Sequence, residues 1–148
     1  MSGSPTDSFV LVDTGVLSRY FLGKPQITQA YAALTTHATP VITGSIYIEL
    51  MRWLITARGR AQQPLTKSGF NQLRHQLDQY VQLNHADCMD LTVATCLLYP
   101  NTGLDDCFTI GVGLFFDVPV FTLNQKHFDR VPGIRLYMPA NYAMLERN

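Results

Sequence analysis

The sequence predicts an α/β fold of three layers, with a central, mostly parallel sheet of about four or five short strands between helices. Three observations carry this. Short continuous apolar runs recur, such as Phe9-Val10-Leu11-Val12 and Val120-Phe121-Thr122-Leu123, as in strands buried on both faces. Segments of helical periodicity fall between the runs, so right-handed crossovers join successive strands. The composition, 47% hydrophobic and 15% charged over 148 residues, suits one core-bearing domain and excludes a disordered chain.

The elements follow in order along the chain. Residues 1–8 are polar and read as a flexible arm, and a single domain occupies 9–148. Phe9 to Val12 is the first strand. Thr14 to Leu22 is a helix stopped by Gly23-Lys24-Pro25, and Gln26 to His37 is a second. Val41 to Thr43 is a strand. Thr43 or Ser45 then caps a helix reaching about Ala57, whose buried face is Tyr47, Leu50, Met51 and Leu54. Glu49 lies beside that stripe, at the core edge. Arg58 to Thr66 is a loop. Lys67 to Leu83 is an amphipathic helix on Phe70, Leu73, Leu77 and Val81, and Asp90 to Leu98 is another. Asp106 opens a helix to about Phe116, in which Gly111 and Gly113 permit close approach of a neighbour. Val118 to Leu123 and Ile134 to Tyr137 are the closing strands.

Charge is balanced overall, with 11 basic and 11 acidic residues, so any polyanion contact is local. Arg52, Arg58, Arg60, Lys67 and Arg74 occupy a stretch without acids. Asp78, Asp87, Asp90, Asp105, Asp106 and Asp117 occupy one without Lys or Arg. This pattern fits a polyanion grip beside a cation site, or two solvated faces of opposite sign. Cys88, Cys96 and Cys107 contain no Cys-x-x-Cys and read as reduced thiols of a cytoplasmic protein. The four histidines form no zinc-type pair. No signal peptide or membrane span is expected.

Asp13 ends the first strand, Glu49 lies in an apolar helix, Asp105-Asp106 precede another, and Asn124 ends a late strand. In open α/β sheets the working crevice lies at the carboxyl ends of the strands, where these residues can meet. Each alone also fits a turn, an ion pair with Arg52, or a helix cap. Of Asp105 and Asp106, one is expected to cap and the other to bind metal. Together they are an all-oxygen set suited to Mg²⁺ or Mn²⁺, which supports phosphodiester hydrolysis.

Four blocks then resemble the PIN-domain ribonucleases, and among them the VapC-type toxins of bacterial toxin–antitoxin pairs. They are Val10-Leu11-Val12-Asp13-Thr14-Gly15-Val16-Leu17, Ser45-Ile46-Tyr47-Ile48-Glu49-Leu50, Leu104-Asp105-Asp106-Cys107-Phe108-Thr109-Ile110-Gly111 with Val118-Pro119-Val120-Phe121-Thr122, and Thr122-Leu123-Asn124-Gln125-Lys126-His127-Phe128 with Val131-Pro132-Gly133-Ile134. The resemblance implies a PIN-like fold and Mg²⁺- or Mn²⁺-dependent cleavage of structured RNA of the tRNA or rRNA class. It implies catalytic and metal roles for Asp13, Glu49, Asp106 and Asn124, with Asp105 beside them. Asn124 stands where many members carry a fourth acid. Thr122 is expected to orient it. A small cognate antitoxin and a homodimer are the implied partners. Arg52, Arg58, Arg60 and Lys67 are the candidate RNA contacts. A PIN scaffold with weak or no catalysis, or a housekeeping RNA-processing nuclease, stays open. A phospho-acceptor receiver does not fit, because the first strand offers only Asp13. A haloacid dehalogenase-type phosphatase does not fit either, because Gly15 stands where its second acid belongs.

Overall fold

The computed structural model describes residues 8–145. Of the expected N-terminal arm, residues 1–7 lie outside the described residues. The four strands, β1 (Phe9–Val12), β2 (Thr39–Ile42), β3 (Val81–Gln82) and β4 (Val120–Phe121), make one sheet in the order β3-β2-β1-β4. Every pairing is parallel. The helices are α1 (Thr14–Phe21), α2 (Pro25–Thr35), α3 (Gly44–Arg58), α4 (Lys67–Asp78), α5 (Cys88–Leu98), α6 (Leu104–Phe116), α7 (Gln125–Asp129) and α8 (Tyr142–Leu145). They cover the sheet, as a parallel sheet requires. None is long and apolar enough to cross a membrane among the described residues.

β1 is central and fully apolar. Leu11 and Val12 are completely buried, as are Val41 and Ile42 of β2 and both residues of β4. The chain moves outward from β1 to β2 and β3, then returns to place β4 on the other side of β1. The topological switch therefore lies between β1 and β4, and the crevice opens at their carboxyl ends.

Several boundaries differ from the sequence expectation. Helix α4 stops at Asp78, and Val81 pairs with Val41 as an edge strand. Val81 sits four residues after Leu77, so helical spacing alone extended the helix. In α3 the buried residues are Ile46, Leu50, Leu54 and Ala57. Tyr47 is half-buried, and its hydroxyl donates to Asp78 Oδ1 at 2.6 Å. The capping expectation at Thr43 holds, since its Oγ1 accepts from Ile46 N at 3.1 Å. Residues 134–137 make a single parallel bridge, Val120 to Leu136, in place of a strand. Pro132-Gly133 and Pro139 bound this segment, and Gly133 has a positive φ of 87°.

Helices α5 and α6 approach closely at Gly111. A Cβ there would lie 2.6 Å from Thr92 Oγ1 and 2.9 Å from the Cys88 carbonyl oxygen. This hairpin sets the height of the first turn of α6, where Asp105 and Asp106 sit. Gly111→Ala is expected to lower stability by about 1–3 kcal/mol through overpacking. Gly15→Ala in α1, whose nearest obstacle is the flexible Arg19 side chain at 3.5 Å, is expected to be neutral or stabilising. Urea denaturation of both variants checks the contrast.

Candidate functional site

Each acid reaches the crevice from a different element. Asp13 is the residue after β1, and its backbone N–H is anchored by the Phe121 carbonyl at 3.0 Å. Its Oδ1 accepts from Thr14 N at 2.9 Å and caps α1. Its Oδ2 accepts from Thr122 Oγ1, also at 2.9 Å. Thr122 is fully buried and accepts from Asn124 N at 3.0 Å. The Asn124 side chain turns its nitrogen to Asp106 Oδ2 at 3.2 Å. One polar chain thus runs from the end of β1 through the end of β4 to the first turn of α6.

Thr122 therefore orients both Asp13 and Asn124. Asn124 stands at the start of α7 and acts toward Asp106 as a donor. A fourth acid would repel Asp106, whereas this amide stabilises its charge. Asp105 and Asp106 both lie in the first turn of α6, where the helix dipole favours negative charge. Neither caps the helix, contrary to the expectation. Gly103 occupies the cap position, because α6 begins at Leu104, before the acids.

Glu49 reaches the same crevice from α3, half-buried at the core edge. No ion pair joins it to Arg52 among the described residues. Burial pushes its carboxyl up to about 7, reinforced by the charges of Asp105, Asp13 and Asp106. Thr14 Oγ1 lies near enough to oppose this slightly, but it makes no hydrogen bond of normal geometry. Asp13 is raised to about 6, chiefly by burial, with the Thr122 bond opposing and Asp106 and Asp105 adding to the rise. Asp106 is raised by burial and by Asp105, against the pull of Asn124 and His127.

His127 was missed in the sequence, where it pairs with no zinc-type partner. In the fold its Nδ1 lies 3.9 Å from Asp106 Oδ2 and, though buried, has no hydrogen-bond partner. Its position three residues after Asn124, on the short helix α7, was the available signal. Thr14 Oγ1 is likewise buried without a partner beside the acids.

The four acids thus share one crevice and present oxygens, the donor type of a hard cation, with the Asn124 amide nitrogen against Asp106. Among the described residues no three Asp, Glu, His or Cys side chains stand as a group that could hold a metal ion, so the acids would have to draw together around one. Mg²⁺ suits such an open set, since it usually retains several waters and takes one or two carboxylates.

The basic residues are spread more widely. Arg52 is exposed, one helical turn beyond Glu49. Arg58 is nine residues from Glu49, about 13 Å along α3. Its Nη1 donates to the Leu65 carbonyl at 3.1 Å, and Arg60 Nε donates to the Ala57 carbonyl at 3.4 Å. Both tie down the loop between α3 and α4. Lys67 opens α4.

Raised carboxyls have a measurable consequence. A folded pKa above the unfolded value means the folded state binds the proton more tightly. Stability is then full at low pH and is lost as pH rises, here between about 4 and about 7. The melting temperature of the chain in EDTA is expected to fall from pH 5 to pH 8. Asp13→Asn should flatten that fall and raise the value at pH 8. Added Mn²⁺ should restore the wild-type chain at pH 8 and leave Asp13→Asn unmoved.

No protein-family model and no curated protein matches the chain. Solved structures do match its fold. A chain of a toxin–antitoxin complex from Klebsiella pneumoniae is 21% identical, with a TM-score of 0.66 over 84% of this chain and 94% of that one. A chain of VapBC2 from Rickettsia felis, bound to a DNA fragment from its promoter, is 14% identical, with a TM-score of 0.69 over 87% and 97%. A chain of FitAcB from Neisseria gonorrhoeae is 14% identical, with a TM-score of 0.63 over 88% and 97%. The chain carries the PIN-like α/β fold of these toxin–antitoxin structures.

Proposed function

We propose that this chain is a Mg²⁺- or Mn²⁺-dependent endoribonuclease that cleaves structured RNA, acting as the toxin of a toxin–antitoxin pair with a small cognate antitoxin. The observation that carries it is the meeting of Asp13, Glu49, Asp105 and Asp106 in one crevice, where the charges of Asp105, Asp13 and Asp106 all act on Glu49. The likeness to toxin–antitoxin structures supports the biological role.

Asp13, Glu49 and Asp106 would hold the ion. When bound, it polarises a phosphoryl oxygen and makes water at the site more acidic. The chain's own residues do the positioning. The two bonds from Thr14 N and Thr122 Oγ1 fix the Asp13 carboxylate plane and leave acceptor capacity on each oxygen. Asn124 fixes Asp106 in the same way from one side. Glu49, half-buried beside the other acids, would present its carboxylate to the ion, whose positive charge offsets the burial and repulsion that raise its proton affinity without it. His127, whose Nδ1 lies 3.9 Å from Asp106 Oδ2, is placed to meet a phosphate oxygen brought to the crevice. Exposed Arg52 and Lys67 supply phosphate contacts at a distance from the acids.

The test is cleavage of total tRNA and rRNA by the purified chain with Mg²⁺ or Mn²⁺. Asp13→Asn and Asp106→Asn are each expected to cut the rate by at least about a hundredfold. Undiminished cleavage by both variants rules out this site. Binding of Mn²⁺ without cleavage of any RNA points instead to a scaffold, a reading that the amide at Asn124 favours. Expression is expected to arrest growth, with relief by the product of a small neighbouring gene. Reversing charge at Arg52 and Lys67 together should weaken RNA binding and shallow its salt dependence.

A further inference from the structure

An open groove of about 540 Å³ lies against the acidic crevice, lined by Ser45, Met89, Thr92, Leu104, Asp105 and Phe108. Its size is within the range of small-molecule sites and leaves ample room for a nucleobase. Its walls are mainly apolar: Met89 is 46% exposed, Leu104 is 64% exposed, and Phe108 is half-buried. Asp105 belongs both to this lining and to the acids that act on Glu49 and Asp13. The groove therefore continues the crevice.

The chemistry of the lining narrows the occupant. No Lys or Arg lines it, and a carboxylate does, so a phosphate is repelled. The Thr92 hydroxyl is engaged by the Cys88 carbonyl at 2.7 Å, and Ser45 Oγ lies 2.9 Å from Thr43 Oγ1. The charged acceptor on the wall is Asp105, which is exposed, whereas Asp106 is engaged by Asn124 and faces His127. A flat uncharged ring with an exocyclic amino group on its edge matches these walls. Cytosine, adenine and guanine carry one, and carboxylates accept from it. Uracil has a carbonyl there.

We propose that this groove is a nucleobase subsite of the same active site, resting on the nuclease reading above. It takes an unpaired, amino-bearing base beside the scissile phosphate, with Phe108 and Met89 as apolar walls and Asp105 as acceptor. The base that enters must be out of its stack, which costs least where it is already unpaired.

Fluorescence anisotropy with short dye-labelled oligo(C), oligo(A) and oligo(U), in Ca²⁺, tests this. The wild-type chain is expected to bind oligo(C) and oligo(A) about tenfold more tightly than oligo(U), with Asp105→Asn abolishing the preference. Phe108→Ala and Met89→Ala should weaken all of them by about tenfold. Met89 is exposed, so its variant keeps the test valid if the Phe108 variant misfolds. Equal affinity for the three probes, or no response to Asp105→Asn and Met89→Ala, overturns the proposal. A groove used by a second copy would also overturn it, and would show as Met89→Glu splitting a dimer in sedimentation without changing oligonucleotide affinity. Base preference without cleavage of any RNA in Mn²⁺ defeats the nuclease reading and leaves the subsite standing. Cleavage without base preference does the reverse.

Discussion

The hydrogen bond from Thr122 to Asp13 joins residues 109 positions apart, and the whole site hangs from it. It exists because β4 pairs in parallel with β1, Val12 opposite Phe121, so the residues that follow both strands leave the sheet side by side. Thr122 then holds the Asn124 backbone, and the Asn124 amide holds Asp106. A shift of one residue in the β1–β4 register would send the hydroxyl to the opposite face of the sheet and break the chain at its first link.

The same arrangement is electrostatically costly. Burial and mutual repulsion lift Asp13 and Glu49 well above ordinary carboxyls, so neutral solution sets folding against charging. Two features soften the conflict within the chain. Asn124 replaces a further negative charge with a donor, and the first turn of α6 gives Asp105 and Asp106 the positive end of a helix dipole. What remains is a cluster of carboxyls that hold their protons more tightly than free ones do.

Packing far from the acids controls their placement. Gly111 lets α5 and α6 touch through Thr92 and the Cys88 carbonyl, and that contact positions the turn carrying Asp105 and Asp106. It also brings Thr92 and Met89 of α5 to the groove beside Phe108 and Asp105 of α6. One close helix contact thus serves both the acidic crevice and the surface next to it.

Much of this was determined by sequence alone. Continuous apolar runs mark β1 and the segment around β4, and glycine and proline punctuation marks most helix ends, because those are local properties of the chain. The acids were found as well, since a carboxylate at the edge of an apolar run is conspicuous wherever it occurs. Other features needed the tertiary structure. Val81 continues the helical spacing of α4, and only pairing with Val41 makes it a strand. The capping of α6 by Gly103, the donor role of Asn124, and the approach of His127 to Asp106 depend on side-chain directions between elements distant in sequence. Sequence determined which groups exist and roughly where each element ends. The parallel register decided which of them meet, because hydrogen-bond geometry and burial act across the fold and leave no periodicity along the chain.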